Sequence, residues 1–194
     1  MISEFQALFE FVTGSRSLPK VFAQKRIGVI TWPDAHRVAD TLLKQIKSSW
    51  APDLVIGLGR SGALWGGWLA GNLGALRIAV VDCSYSQPQG RRAVSFPGGN
   101  GVLSSLLTTH ALNSKVLVVE GAATTGQTFA EFIKQHEPQL CGWNIRFAVL
   151  YTNVIVPDAL VQYVGQRALE PWPEKFPWHQ SPSWPTFLHG GPSI

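Results

Sequence analysis

The texture of its apolar runs constrains this chain most. Leu54-Val55-Ile56, the run over 77–82, Val116-Leu117-Val118-Val119 and the run over 145–151 are short and nearly continuous in apolarity. A strand that is apolar on both faces must be covered on both, which is the habit of parallel sheets. Helical patterns separate these runs: a glycine-rich one over 63–73 and another over 128–136. Strands alternating with helices predict an α/β fold, a single domain with a mostly parallel sheet and helices on both faces. The 194 residues suffice to bury one such core without staples. Ligands of these sheets collect at the carboxyl ends of the strands, so the loops there are the places to look for chemistry.

Outside the repeating pattern the sequence is less regular. Ser3 is placed to cap a short helix over 4–12, closed by Gly14, and a basic extended segment over 26–31 reads as a strand or its edge. Trp32-Pro33-Asp34 then opens a helix, with proline suited to its first turn and Val38, Leu42, Leu43 and Ile46 as one apolar stripe ending near Trp50. Residues 57–62 read as a loop. The segment 84–101, with Gln87-Pro88-Gln89-Gly90-Arg91-Arg92 and Pro97-Gly98-Gly99-Asn100-Gly101, reads as a mobile excursion. The region from Glu170 is dense in proline and tryptophan. Neither is expected to be a second domain, and no internal repeat is present.

Composition excludes several classes. Glu4 and Glu10 at the start, without a basic region, do not make a secretory signal. The longest uncharged run, over 61–76, is shorter than a spanning helix and broken by glycines, so no membrane segment is expected. Cys83 and Cys141 form neither a disulfide framework nor a metal-ligand spacing and are expected as reduced, buried thiols, which makes the cytoplasm the expected compartment. The net charge of +4 and the pI near 9.3 suit a ligand rich in phosphate. Nucleic acid would fit the sign, but a modest excess spread along the chain is ordinarily a solvated surface.

Three motifs carry the functional signal. In Val55-Ile56-Gly57-Leu58-Gly59-Arg60-Ser61-Gly62, glycines lie between a strand and a helix, and Asp82 ends the next strand. The spacing satisfies a dinucleotide fingerprint, but Arg60 among free amides favours an anion site, and a tight turn whose glycines permit close packing is a third reading. In the run from Val116 to Thr128, a buried strand ends at Glu120-Gly121, and Ala123-Thr124-Thr125-Gly126-Gln127-Thr128 opens a helix. Threonine hydroxyls and unpaired amides at a helix amino terminus form a site for one phosphate, with Glu120 placed for the hydroxyls of an attached sugar. The plainer reading is a helix capped by Thr124 or Thr125. In Trp172-Pro173-Glu174-Lys175-Phe176-Pro177-Trp178, prolines hold aromatic faces that suit stacking on a flat ring or packing onto the core.

Taken together these motifs resemble the type I phosphoribosyltransferases, and most closely their xanthine-guanine branch, from about Trp32 to Trp178. The resemblance implies a domain over 1–178, with a core of about 32–152, a small carboxyl-terminal hood of about 153–178 and a separate tail over 179–194. It implies that Glu120, Gly121 and Ala123 to Thr128 hold the ribose 5-phosphate of phosphoribosyl pyrophosphate. Gly59, Arg60, Ser61 and Gly62 match the pyrophosphate loop. Ser84-Tyr85 matches the pair that begins the family's catalytic loop, from which Arg91 and Arg92 reach pyrophosphate. Asn153, Trp172 and Phe176 fall at the base, near Pro157-Asp158.

By the same resemblance, Glu120, Arg60 and Thr124 are the catalytic candidates, with Mg2+ as cofactor and Glu120 beside the metal. The implied activity is phosphoribosyl transfer to a nitrogenous base with pyrophosphate release. A non-catalytic nucleotide sensor on the same fold is the alternative, and an NAD-binding oxidoreductase is third. A homo-oligomer, most simply a dimer, is the expected assembly. The sequence departs from the family pattern where Gly121 replaces a second acid, and where Asn153 stands in the place of a lysine that recognises a 6-oxo group. Thr124 stands where purine-specific members carry an aspartate, and other branches of the family use threonine there.

Overall fold

The computed structural model of the protein describes residues 30–75, 77–86, 93–109, 113–153, 156–168 and 177. The expected helix over 4–12 and most of the expected strand over 26–31 lie outside them. Ile30 and Thr31 are not in a strand. Thr31 instead caps helix α1 (Trp32–Ser49), its hydroxyl accepting from the Asp34 amide at 3.3 Å while the Asp34 carboxylate accepts from the Thr31 amide at 3.2 Å. This reciprocal cap, with Pro33 in the first turn, explains why the helix starts there. Its buried stripe is Ala35, Ala39, Leu42 and Ile46, with Val38 and Leu43 packed at its margin.

The chain then runs through β1 (Leu54–Leu58), α2 (Gly59–Leu73), β2 (Arg77–Val81), β3 (Ser84–Ser86), β4 (Ala93–Ser95) and α3 (Gly99–Leu107). It continues through β5 (Lys115–Ala123), α4 (Gln127–Leu140), β6 (Asn144–Asn153) and β7 (Tyr163–Ala168). Five strands form one parallel sheet in the order β2-β1-β5-β6-β7. Two core clusters cover it. On one face α1 and α2 bury Leu42, Ile46, Trp65 and Leu69 against Val55, Leu117, Val119 and Leu150. On the other, α3 and α4 bury Leu103, Leu106, Phe129 and Phe132 against Leu54, Ile56, Val116, Val118 and Val149. Strands apolar on both sides therefore meet helices on both, as the continuous runs require.

Several expectations are corrected. Residues 57–62 are not a loop: Gly57 and Leu58 complete β1 and the helix begins at Gly59. Within 84–101, read as a mobile excursion, residues 84–86 and 93–95 form the antiparallel pair β3–β4 with Tyr85 opposite Val94, and α3 begins at Gly99; residues 87–92 lie outside the described residues. The sheet also runs past the expected core boundary near 152, because β7 pairs with β6 within the span assigned to the hood. Both cysteines are free, but neither is buried; Cys141 is exposed.

Candidate phosphoribosyl site

The site lies where β5 outlasts its neighbour. The pairing of β1 with β5 ends at Gly57 opposite Val119, whereas β5 continues to Ala123. Beyond β1, the Gly121 amide donates to the Ser61 hydroxyl at 3.3 Å, so the first turn of α2 closes over the end of β5. That closure requires glycine. A β carbon at Gly62 would stand 2.4 Å from the Val119 carbonyl oxygen, and one at Gly57 would stand 2.3 Å from the Gly62 carbonyl oxygen. Gly59 adopts φ +59° at the start of the helix, a conformation that L side chains rarely adopt. Arg60 beside it is exposed, and the first turn of α2 carries no acidic residue.

Glu120, buried in β5 in sequence with Val116 to Val119, is only 6% exposed. Three residues beyond β5 the chain turns at Gly126, φ +77°, which caps α4 without any side-chain hydrogen bond. The threonine cap considered from sequence is thus corrected to a glycine cap. Thr125 accepts from the Gln127 amide at 3.3 Å, and Thr128 is buried in the first turn. A helix start capped by glycine offers its first amides and its positive dipole end to an anion. Val156 and Leu160 floor the turn, since a β carbon on Gly126 would meet Leu160 Cδ2 at 2.6 Å and Val156 Cγ1 at 3.3 Å. These two residues were not foreseen; they lie in a short connection whose only sequence signal was Pro157-Asp158. Arg167 fixes that connection through the Asp158 carboxylate and the Val156 carbonyl.

Tyr85 links the hairpin to this site. Its hydroxyl donates to Glu120 Oε1 at 3.4 Å and lies 3.3 Å from Thr128 Oγ1. Burial and, second, the Glu120 charge raise its ionisation well above the ordinary tyrosine range. Tyr85, for which the resemblance implies a pyrophosphate-binding role, lies here against Glu120 and Thr128. Ser84, in the same strand, is exposed. Asn153 ends β6 and is 1% exposed, its carbonyl accepting from the Val156 amide at 3.1 Å. Arg91, Arg92, Trp172 and Phe176 lie outside the described residues, so the expected base shelter and the arginine pair have no geometry here.

No protein-family model matches the chain, and no curated protein matches it by sequence. Solved structures do match in fold. A purine phosphoribosyltransferase from Pyrococcus horikoshii superposes with a TM-score of 0.59 at 20% identity, over 86% of this chain and 95% of its own. A xanthine-guanine-hypoxanthine phosphoribosyltransferase from Helicobacter pylori gives 0.62 at 11% identity, over 85% and 100%. A hypothetical protein from Neisseria gonorrhoeae with bound ppGpp gives 0.63 at 21% identity, over 82% and 93%. The likeness is one of fold, and the fold is that of the type I phosphoribosyltransferases. Among the described residues no helix is long and apolar enough to cross a membrane.

Proposed function

We propose that this protein binds phosphoribosyl pyrophosphate or a nucleoside 5′-phosphate and transfers the phosphoribosyl group to a nitrogenous base. The reaction breaks the bond between C1 of the ribose and the pyrophosphate oxygen and forms one from C1 to a base nitrogen. One observation carries the reading: Glu120, Thr128 and the glycine-capped start of α4 converge at the carboxyl end of β5, beside the Arg60 turn. In this reading Thr124 to Thr128 hold the 5′-phosphate and Glu120 orients the ribose. Gly59 to Gly62, with Arg60 as their cation, take the pyrophosphate, and Asn153 faces the base end.

A positively charged, oxocarbenium-like ribose develops as pyrophosphate leaves, and donors on the leaving group favour that charge separation. In this reading a magnesium ion arrives with the pyrophosphate oxygens. Magnesium would then neutralise leaving-group charge, with Glu120 the carboxylate nearest to its water shell. Asn153, an amide where a lysine is expected for 6-oxo purines, argues against guanine or xanthine as the preferred base.

A second reading, a nucleotide sensor without turnover, draws on Gly121. Glu120 is then the single carboxylate at the sugar, and one charge-assisted hydrogen bond contributes about 1.5–3 kcal/mol, enough to bind but with less to orient. The third reading, a dinucleotide site, rests on the spacing of Gly57, Gly59 and Gly62, and the packing of Gly57 against Gly62 accounts for two of these without a ligand.

The test is calorimetric titration with phosphoribosyl pyrophosphate and magnesium. Thr125→Ala combined with Thr128→Ala should weaken binding at least about tenfold with the fold retained, as expected for hydroxyl donors to a charged group. Undiminished affinity in the folded double variant would remove the cradle. Pyrophosphate release across a panel of bases then separates transferase from sensor.

A further inference from the structure

We propose that Tyr85 gates the site: its side chain occupies the position of the ribose 5-phosphate and must swing away before ligand binds. The inference rests on the phosphoribosyl reading of the site and adds its regulation. One phenol hydroxyl reaches both groups that the ligand needs, Glu120 Oε1 at 3.4 Å and Thr128 Oγ1 at 3.3 Å. A ribose hydroxyl bound to Glu120 and a phosphate oxygen bound to Thr128 compete with it for the same partners. Both contacts are long for bonds between oxygens, so they are weak enough to exchange.

The motion belongs to the Tyr85 side chain and β3, since β4 is held to the core by Val94 and by the Gln135 side chain donating to the Val94 carbonyl. Tyr85 is 48% exposed, so its ring is not locked into the core. Strand β3 pairs with β4 in a separate two-stranded sheet, and displacing it breaks no bond of the five-stranded sheet. Closure by Tyr85 makes the apparent affinity depend on the fraction of open molecules.

Tyr85→Phe keeps the ring and removes the hydroxyl. Binding of phosphoribosyl pyrophosphate, measured by calorimetry, should tighten by about three- to tenfold as the open fraction rises. Unchanged or weaker binding in the variant, with the wild type binding normally, overturns the gate and leaves the phosphoribosyl reading in place. Absence of binding in both proteins removes that reading and the gate with it.

A second measurement tests the contact without ligand. With carbon-13 at the tyrosine ζ positions, the Tyr85 resonance, identified by its loss in Tyr85→Phe, should shift in Glu120→Gln. It should also shift in the wild type on adding phosphoribosyl pyrophosphate. A resonance that stays in place under both changes overturns the gate.

Discussion

At the scale of single residues, the turn from β1 into α2 has almost no steric latitude. With a β carbon at position 62 only 2.4 Å from the Val119 carbonyl, alanine there forces either α2 or β5 to move. Gly62→Ala should destabilise the fold by about 1–3 kcal/mol or more, as overpacking does, and should lower the denaturant midpoint. A midpoint equal to wild type would mean that the turn yields. Position 121 lies inside β5 and does not adopt positive φ, so its backbone conformation suits a side chain. Gly121→Asp should place a second carboxylate beside the sugar and raise magnesium-dependent ligand affinity by about tenfold, the order of one charged hydrogen bond. A folded variant with weaker binding would refute that role. Glu120 and the threonines were legible in sequence because their chemistry is local to one strand-turn-helix. The contact of Tyr85 with Glu120 joins residues 35 apart and has no local signature. The close packing of Gly57 on Gly62 was one of the readings of this local turn, whereas the approach of Gly62 to Val119 joins distant segments and has no such signature.

Among the elements, α3 and α4 meet through a buried histidine. His136, 2% exposed, has Nδ1 at 2.8 Å from Asn100 Oδ1, and its ring packs edge-on against Phe96 and Phe132. Burial lowers its pKa below the ordinary 6.5, so the neutral imidazole is the folded form. The stability this provides is complete above pH 6.5 and is lost as pH falls from there through the lowered folded-state value. Denaturant unfolding followed from pH 7.5 to 5 should therefore show a steeper loss for wild type than for His136→Phe. Equal slopes would mean that the ring ionises without consequence for the α3 contact. The major strands and α1, α2 and α4 were readable because period and apolarity agree with their burial. Two elements were not. α3 begins at Gly99, inside a proline-glycine run that reads as loop, and is held by packing on His136, where a β carbon at Gly99 would come within 2.9 Å of the ring. β7 carries Gly165, where a β carbon would stand 2.6 Å from Val38 Cγ1, so close approach of α1, and not apolar patterning, defines that strand. The β3–β4 pair escaped for the same reason, since three-residue strands have too few alternations to be read.

For the molecule as a whole, the sheet, the α2 turn, the start of α4 and the hairpin are separate pieces that one ligand would tie together. Ser61 joins α2 to β5, Tyr85 joins the hairpin to β5 and α4, and Gly126 packs α4 onto the connection after β6. A ligand that binds only the folded chain stabilises it by mass action, about 2.7 kcal/mol when present at one hundred times its dissociation constant. For a chain of this size each kcal/mol raises the melting temperature by about 2–4 °C, so phosphoribosyl pyrophosphate with magnesium should raise it by about 5–10 °C. On the phosphoribosyl reading, NAD at the same concentration should leave it unchanged. The double Thr125→Ala, Thr128→Ala variant should lose most of the shift, and Tyr85→Phe should show a larger one at equal ligand concentration. Raising salt should reduce the shift, since the site attracts a polyanion to a chain of net charge +4 through partly exposed groups such as Arg60. A shift produced equally by NAD would return the Arg60 turn to a dinucleotide role. A shift with nucleoside monophosphates but not with phosphoribosyl pyrophosphate would favour the sensor, because a transferase must hold the pyrophosphate that it releases.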